Sequence, residues 1–183
     1  MTWRINLYVK SAICSALCRV HRFQSAVVTC DGMLPVLHGG GRVLIRGRLA
    51  MRGRVARCEF GATRNGRLEI GDRVFINQGA SVVANHSIKV GDGTRIGDFV
   101  AVYDSDYHSV EPPHPVKCAP VVIGSNVWLG RGVLVLPGSN VGDHTVIAAG
   151  SVVRGNLPAR VLAAGNPARV VRELTIPDGW RRD

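Results

Sequence analysis

Aromatic residues are scarce in this sequence. Four Phe, three Tyr and three Trp make up 5% of its 183 residues. A core of stacked rings is excluded, and the interior must be built from Val, Ile, Leu and Ala. Acids are scarce too: 13 Asp and Glu stand against 23 Lys and Arg, a formal net charge of +10. Cys14, Cys18, Cys30, Cys58 and Cys118 form no C-x-x-C pair and show no zinc spacing. Their odd number argues against a disulfide framework and for a reducing cytoplasm. The longest uncharged apolar run near the start, "SAICSALC", is too short to span a bilayer, and no convincing cleavage site follows it. No nucleic-acid motif accompanies the basic residues, so nucleic acid is not an expected partner.

What is present is apolar, basic and rich in glycine. Apolar residues reach 46%, and 22 glycines point to many tight turns. A length of 183 residues suits one domain. Eight arginines crowd between Arg42 and Arg67, opposed within that span only by Glu59. Such a cluster is a solvated face, an interface, or a patch for phosphates or acidic lipids. Residues 5–23, "INLYVKSAICSALCRVHRF", place Ile5, Val9, Ile13, Leu17 and Val20 at helical spacing, with Lys10, Arg19 and Arg22 between them. This is a basic amphipathic helix, whose apolar face either packs on the same protein or rests on an anionic membrane surface.

The strongest signal is a repeat. Ile123, Leu129, Val135, Val141, Ile147 and Val153 follow one another at strict intervals of six. Four residues after each of the first five comes Val127, Val133, Ser139, Thr145 or Ser151, all small or β-branched. Ile70, Ile76, Val82 and Ile88 keep the same interval, the register slips by two, and Val90, Ile96 and Val102 resume it. Val43, Leu49 and Val55 read as degenerate earlier rungs. A period of six is neither helical (3.6) nor that of an ordinary strand (2). It implies short strands alternating with turns, three to a coil, with coils stacked in parallel.

The stretches "PVVIGSNVWLGRGVLVLPGSNVGDHTVIAAGSVV" and "LAAGNPARVVREL" resemble the hexapeptide-repeat acyltransferases, within the branch of maltose, galactoside and polysaccharide O-acetyltransferases. The resemblance covers about residues 68–173 and implies an all-β fold: a left-handed parallel β-helix with a short N-terminal helix and an extruded catalytic loop. The expected boundaries are an N-terminal helical or irregular segment over 1–40, the β-helix over 41–173 with its loop at 104–119, and a tail over 174–183.

The repeat is broken by "YDSDYHSVEPPHP" at 103–115. In the family an extruded loop carries a catalytic histidine, and His108 matches it. Its imidazole would be a general base near neutral pH. Asp106 is the favoured orienting acid, beside Asp104, with Glu111 as a rival; His114, between two prolines, is a rigid loop residue. The resemblance also implies acetyl-CoA as acyl donor, held by Arg131, Ala149, Arg154, Arg169 and Arg172. It implies an oxyanion donor near Gly130-Arg131, an acceptor contact at Asn77, and a homotrimer with sites between chains. Relatives often have Thr-Lys where this chain has Arg154-Gly155. No metal is expected: the histidines lack the spacing of the γ-class carbonic anhydrases that share the fold. Strand alternation turns Trp128 outward, toward a subunit interface or the CoA groove.

The resemblance implies an acetyl-CoA-dependent O-acetyltransferase acting on a hydroxyl of a small-molecule or glycan acceptor, a sugar or glycoconjugate of the cell-surface polysaccharide type, in a cytoplasmic protein that is either free or peripheral at the inner membrane face. The alternatives are an N-acetyltransferase on an amino sugar, a xenobiotic acetyltransferase, or a silent β-helix scaffold.

Overall fold

The structure is a computed structural model that describes residues 2–20, 24 and 27–182; the side chains of 2–7, 19 and 20 lie outside that description. Helix α1 spans Thr2–Val20, so the expected helical residues 21–23, with Arg22, fall outside the described residues. The rest is the parallel β-helix that the repeat implied, with six coils and three flat faces.

Each coil passes through the faces in the same order. The first face carries Val27–Gly32, Arg48–Gly53, Val74–Ile76, Arg95–Ile96, Trp128–Leu129 and Val146–Ile147. It ends in an antiparallel hairpin of Val161–Gly165 and Ala168–Glu173. Six strands from Val36–His38 to Val152–Val153 build the second face, and six from Arg42–Ile45 to Asn156–Leu157 build the third. Neighbouring strands within a face run parallel, as in Ile76↔Ile96↔Leu129↔Ile147.

The hexad rungs fill the centre. Every rung from Ile70 to Val102 and from Ile123 to Val153 is at most 1% exposed. Full burial of each such side chain stabilises by roughly 1.5–3 kcal/mol. The small residues between them are buried too, and their hydroxyls are satisfied. Ser139 Oγ donates to Val153 O at 3.1 Å, and Thr145 Oγ1 to Pro158 O at 2.7 Å. Among the described residues Phe60 is the lone phenylalanine in the buried core, in keeping with the aromatic-poor composition.

The glycines before the turns have a steric cause. Asp72, Asp92 and Asp143 each aim Oδ1 at a backbone N–H of the adjacent coil: Arg48, Asp72 and Ser125, at 2.7–2.8 Å. A Cβ on Gly47, Gly71 or Gly124 would lie 2.3 Å from that oxygen.

Three expectations need correction. The β-helix begins at Val27 rather than 41. The first coil has strands of six, three and four residues joined by irregular corners, so no hexad period marks it. Val55 is 74% exposed and is no rung. The corner after Arg48–Gly53 is long, and Phe60 fills the next inward position instead. The arginines of 42–67 form a ring around the first two coils, not one patch. Arg42 and Arg67 lie on the third face, Arg48 and Arg52 on the first, and the others at the corners.

Helix α1 closes the N-terminal end. The Val27–Gly32 strand would otherwise leave an open edge. Ser11 Oγ accepts the Cys30 N–H at 3.1 Å, and Ser15 Oγ donates to Val28 O at 3.1 Å. Cys14 and Cys18 join the core from the helix side. The Cys14 thiol is held well above its ordinary pKa by hydrogen bonds with Cys18 and Cys30, then by burial. No described helix is long and apolar enough to cross a membrane.

Candidate active site

The loop springs from the corner between the second and third faces of the fourth coil. Its base is a narrow neck. Asp106 N–H donates to Lys117 O at 2.9 Å, Ala119 N–H to Asp104 O at 3.0 Å, and Ser105 bridges Cys118 in antiparallel fashion. Beyond the neck, the Ser109 hydroxyl donates to the carbonyls of Glu111 and His114, tying the tip to itself.

The acids of this loop have separate tasks. Asp104 is completely buried, and its two carboxylate oxygens accept the N–H groups of Asn85 (2.9 Å) and His86 (2.8 Å) on the coil before it. It anchors the loop. The Glu111 carboxylate stands 3.8 Å from His114 Nε2. Asp106 is exposed, and its backbone carbonyl accepts the His108 N–H at 2.7 Å across a tight turn at Tyr107, whose φ is +59°. The His108 side chain is exposed and has no hydrogen bond among the described residues.

Tyr107 packs edge-on against Tyr103, with ring centroids 5.7 Å apart. Burial pushes its hydroxyl pKa up, while the neighbouring Asn85 amide pulls the other way. Asn85 is itself braced by Thr63, whose Oγ1 donates to Asn85 Oδ1 at 3.1 Å. The repeat concealed this bracing, because Thr63 and Asn85 sit one coil apart at the same corner and never share a local motif.

The cofactor-side residues occupy different ground. Arg131 and Ala149 are exposed on the corner between the first and second faces, one coil apart, linked where Gly150 N–H donates to Arg131 O at 2.8 Å. The Arg131 guanidinium lies 5.3 Å over the Phe99 ring of the coil above. Asn77 is on the same corner column, where its Oδ1 accepts the Gln78 N–H at 3.0 Å and so stabilises the turn. Arg169 and Arg172 are exposed on the terminal hairpin. Arg154 lies apart from these, on the loop's own corner. Gly130 N–H donates to Ile147 O at 2.9 Å, so near the expected oxyanion position at Gly130-Arg131 it is the Arg131 N–H that is left unbonded among the described residues. One chain therefore carries the histidine loop on one edge of the second face and Arg131 and Ala149 on the other.

Trp128 points outward as alternation required and is 46% exposed. The chain's own tail meets it. Residues 174–182 run back along the corner between the third and first faces, where Arg182 lies 5.7 Å over Trp128 and 4.9 Å over Trp180. Arg182 N–H donates to Asn126 Oδ1 at 2.7 Å, and Arg95 Nη2 to Arg182 O at 3.0 Å. The described part of the tail is thus a docked strap. Among the described residues no cluster of histidines, cysteines and acids is arranged to hold a metal ion.

Residues 120–155 match the family profile described as bacterial transferase hexapeptide (six repeats). The hexapeptide repeat thus stands in the sequence as in the fold. It is 36% identical over 125 residues to a putative acetyltransferase of Saccharomyces cerevisiae, over 66% of this chain and 61% of that protein. Against the galactoside O-acetyltransferase of Escherichia coli it is 33% identical over 114 residues, 61% of this chain and 56% of that one. A hexapeptide-repeat acetyltransferase of Vibrio cholerae, solved in complex with acetyl coenzyme A, matches with a TM-score of 0.56 at 34% identity, over 65% of this chain and 64% of that one. The chain spans less than two thirds of the length of each of these proteins. By repeat, sequence and fold it is similar to the hexapeptide-repeat acetyltransferases.

Proposed function

We propose that this chain is an acetyl-CoA-dependent O-acetyltransferase that acts in the cytoplasm on a hydroxyl of a sugar or glycoconjugate. The observation that carries the reading is His108: an exposed, unbonded imidazole on an anchored loop of a hexapeptide β-helix. The galactoside O-acetyltransferase among its relatives supports the class of acceptor.

The chemistry is a direct transfer. The imidazole of His108 takes the proton of the acceptor hydroxyl as its oxygen attacks the thioester carbonyl carbon. The resulting oxyanion is met by the Arg131 N–H. Collapse breaks the carbon–sulfur bond, and the imidazolium returns its proton to the departing CoA thiolate. Asp106 is the acid left to accept from the other ring nitrogen, because Asp104 is committed to Asn85 and His86, and Glu111 stands by His114. Arg131, Arg154, Arg169 and Arg172 supply charge for the CoA phosphates, Ala149 its backbone beside the pantetheine arm, and the Asn77 amide a contact for the acceptor.

The division of these groups between two edges of one face supports a homotrimer. A cyclic neighbour would bring its histidine loop to this chain's Arg131 corner. Labelled acetyl-CoA incubated with a panel of sugars, nucleotide-sugars and glycolipids tests the reading. His108→Ala should lower kcat by about 10²–10⁴ and leave the melting temperature unchanged. Equal turnover by that variant would remove His108 from the chemistry.

A further inference from the structure

Helix α1 turns Tyr8, Val9 and Ile13 away from its own protein. Toward the β-helix it presents Ser11, Cys14, Ser15 and Cys18, small side chains that pair the edge strand and fill the end of the core. Away from it stand Tyr8, Val9 and Ile13, at 73%, 52% and 43% exposure. Val9 and Ile13 are one helical turn apart and form one stripe, with Tyr8 on its flank. The helix thus packs on its own chain through its small side chains, while Val9 and Ile13 remain uncovered. Val27, Val36 and Val55, all of the first two coils, are exposed at the same end.

The surroundings of this stripe are basic on every side. Residues 27–73 hold nine arginines and four acids. Glu69 pairs with Arg46 and Arg67, Asp31 with Arg52 and Arg54, and Asp72 with Arg48 and Arg73. Arg42, Arg57 and Arg64 are exposed and have no ion pair among the described residues. They stand on the third face and on two different corners, so positive charge encircles the end rather than marking one side.

An apolar stripe inside a cationic ring selects its occupant. A second copy meeting end to end would set one arginine ring against the other. A bilayer with anionic headgroups satisfies both features together, because its acyl boundary takes the apolar side chains and its phosphates meet the guanidinium groups. We propose that the N-terminal end of the β-helix is a docking surface for an anionic membrane. Helix α1 lies in the interfacial plane, Tyr8, Val9 and Ile13 enter the headgroup–acyl boundary, and the coils project away from the bilayer. This goes beyond the proposed acetyl transfer and does not depend on it.

The test is flotation of the full chain with vesicles of phosphatidylcholine alone or mixed with phosphatidylglycerol, across a salt series. Binding is expected to the mixed vesicles and to weaken as salt rises. Val9→Gln with Ile13→Gln should lower the partition coefficient by about tenfold or more while the melting curve stays in place, since both side chains are exposed. Arg57→Gln and Arg64→Gln should each lower it by about fivefold. The proposal is overturned if the wild-type chain fails to float with anionic vesicles at any salt, or if the Val9/Ile13 variant binds as the wild type does. It is equally overturned if, without vesicles, the particle doubles in mass with concentration and that variant abolishes the doubling, for then a second copy covers the face.

Discussion

Asp104→Ala should cost this protein far more than its place in an exposed loop suggests. The side chain is fully buried, and each carboxylate oxygen accepts one backbone N–H, from Asn85 at 2.9 Å and His86 at 2.8 Å. The variant leaves two donors without partners in a site that bulk water does not reach. A buried donor left unpaired costs about 1–3 kcal/mol, so the pair should cost about 3 kcal/mol, allowing for partial relaxation and an entering water. At this chain length each kcal/mol lowers Tm by roughly 2–4 °C, which gives a fall of about 6–12 °C. Asp104→Asn is the finer probe. It keeps the shape but opposes one N–H with an amide NH₂ group, and should cost about half as much. Differential scanning calorimetry at one fixed protein concentration reads both, since association would shift Tm by mass action. Asp106→Asn should leave Tm within the error of the wild type. Activity should fall in the Asp104 variants because the neck that carries His108 loosens, and in Asp106→Asn without any loss of stability. An Asp104→Ala protein that melts within about 2 °C of the wild type would refute the anchoring argument.

Three further outcomes are expected. A thiol-reactive dye under native conditions should label Cys118 quickly and the other four cysteines only on unfolding, because Cys118 alone is exposed and burial lifts the Cys58 thiol to about 11. Burial opposes ionisation of Glu69, but its bonds to Arg46 and Arg67 outweigh it and hold the carboxyl below its ordinary value of 4.5. That contribution is complete above about pH 4.5 and is lost as pH falls through the lower folded value, so the Tm gap between wild type and Glu69→Gln should close in acid; a gap that widens there would contradict the pairing. If sites form between chains, His108→Ala and Arg131→Glu proteins, each inactive alone, should regain part of the activity when unfolded and refolded together, whereas a site within one chain would give none.

Much of this architecture was legible in one dimension. The six-residue interval of Ile123 to Val153 required coils of three short strands, because each inward residue must recur at every face. The paucity of aromatics required a core of branched aliphatics. The break at "YDSDYHSVEPPHP" marked the extruded loop, since a loop can leave a β-helix only where a rung is interrupted. The first coil was hidden, because its inward residues are set by corners of unequal length, and irregular corners erase the period. Only the tertiary structure separated the loop acids, burying Asp104 against Asn85 and His86 and setting Glu111 beside His114, and two of those partners lie one coil away. Only it bent the tail back onto Trp128. The orientation of helix α1 is of the same kind. Its sequence makes a stripe and a small-residue face, and helical periodicity alone favours burying the stripe. The edge strand at Val28 and Cys30 needed hydroxyl partners more than apolar cover, and that pairing turned Val9 and Ile13 outward.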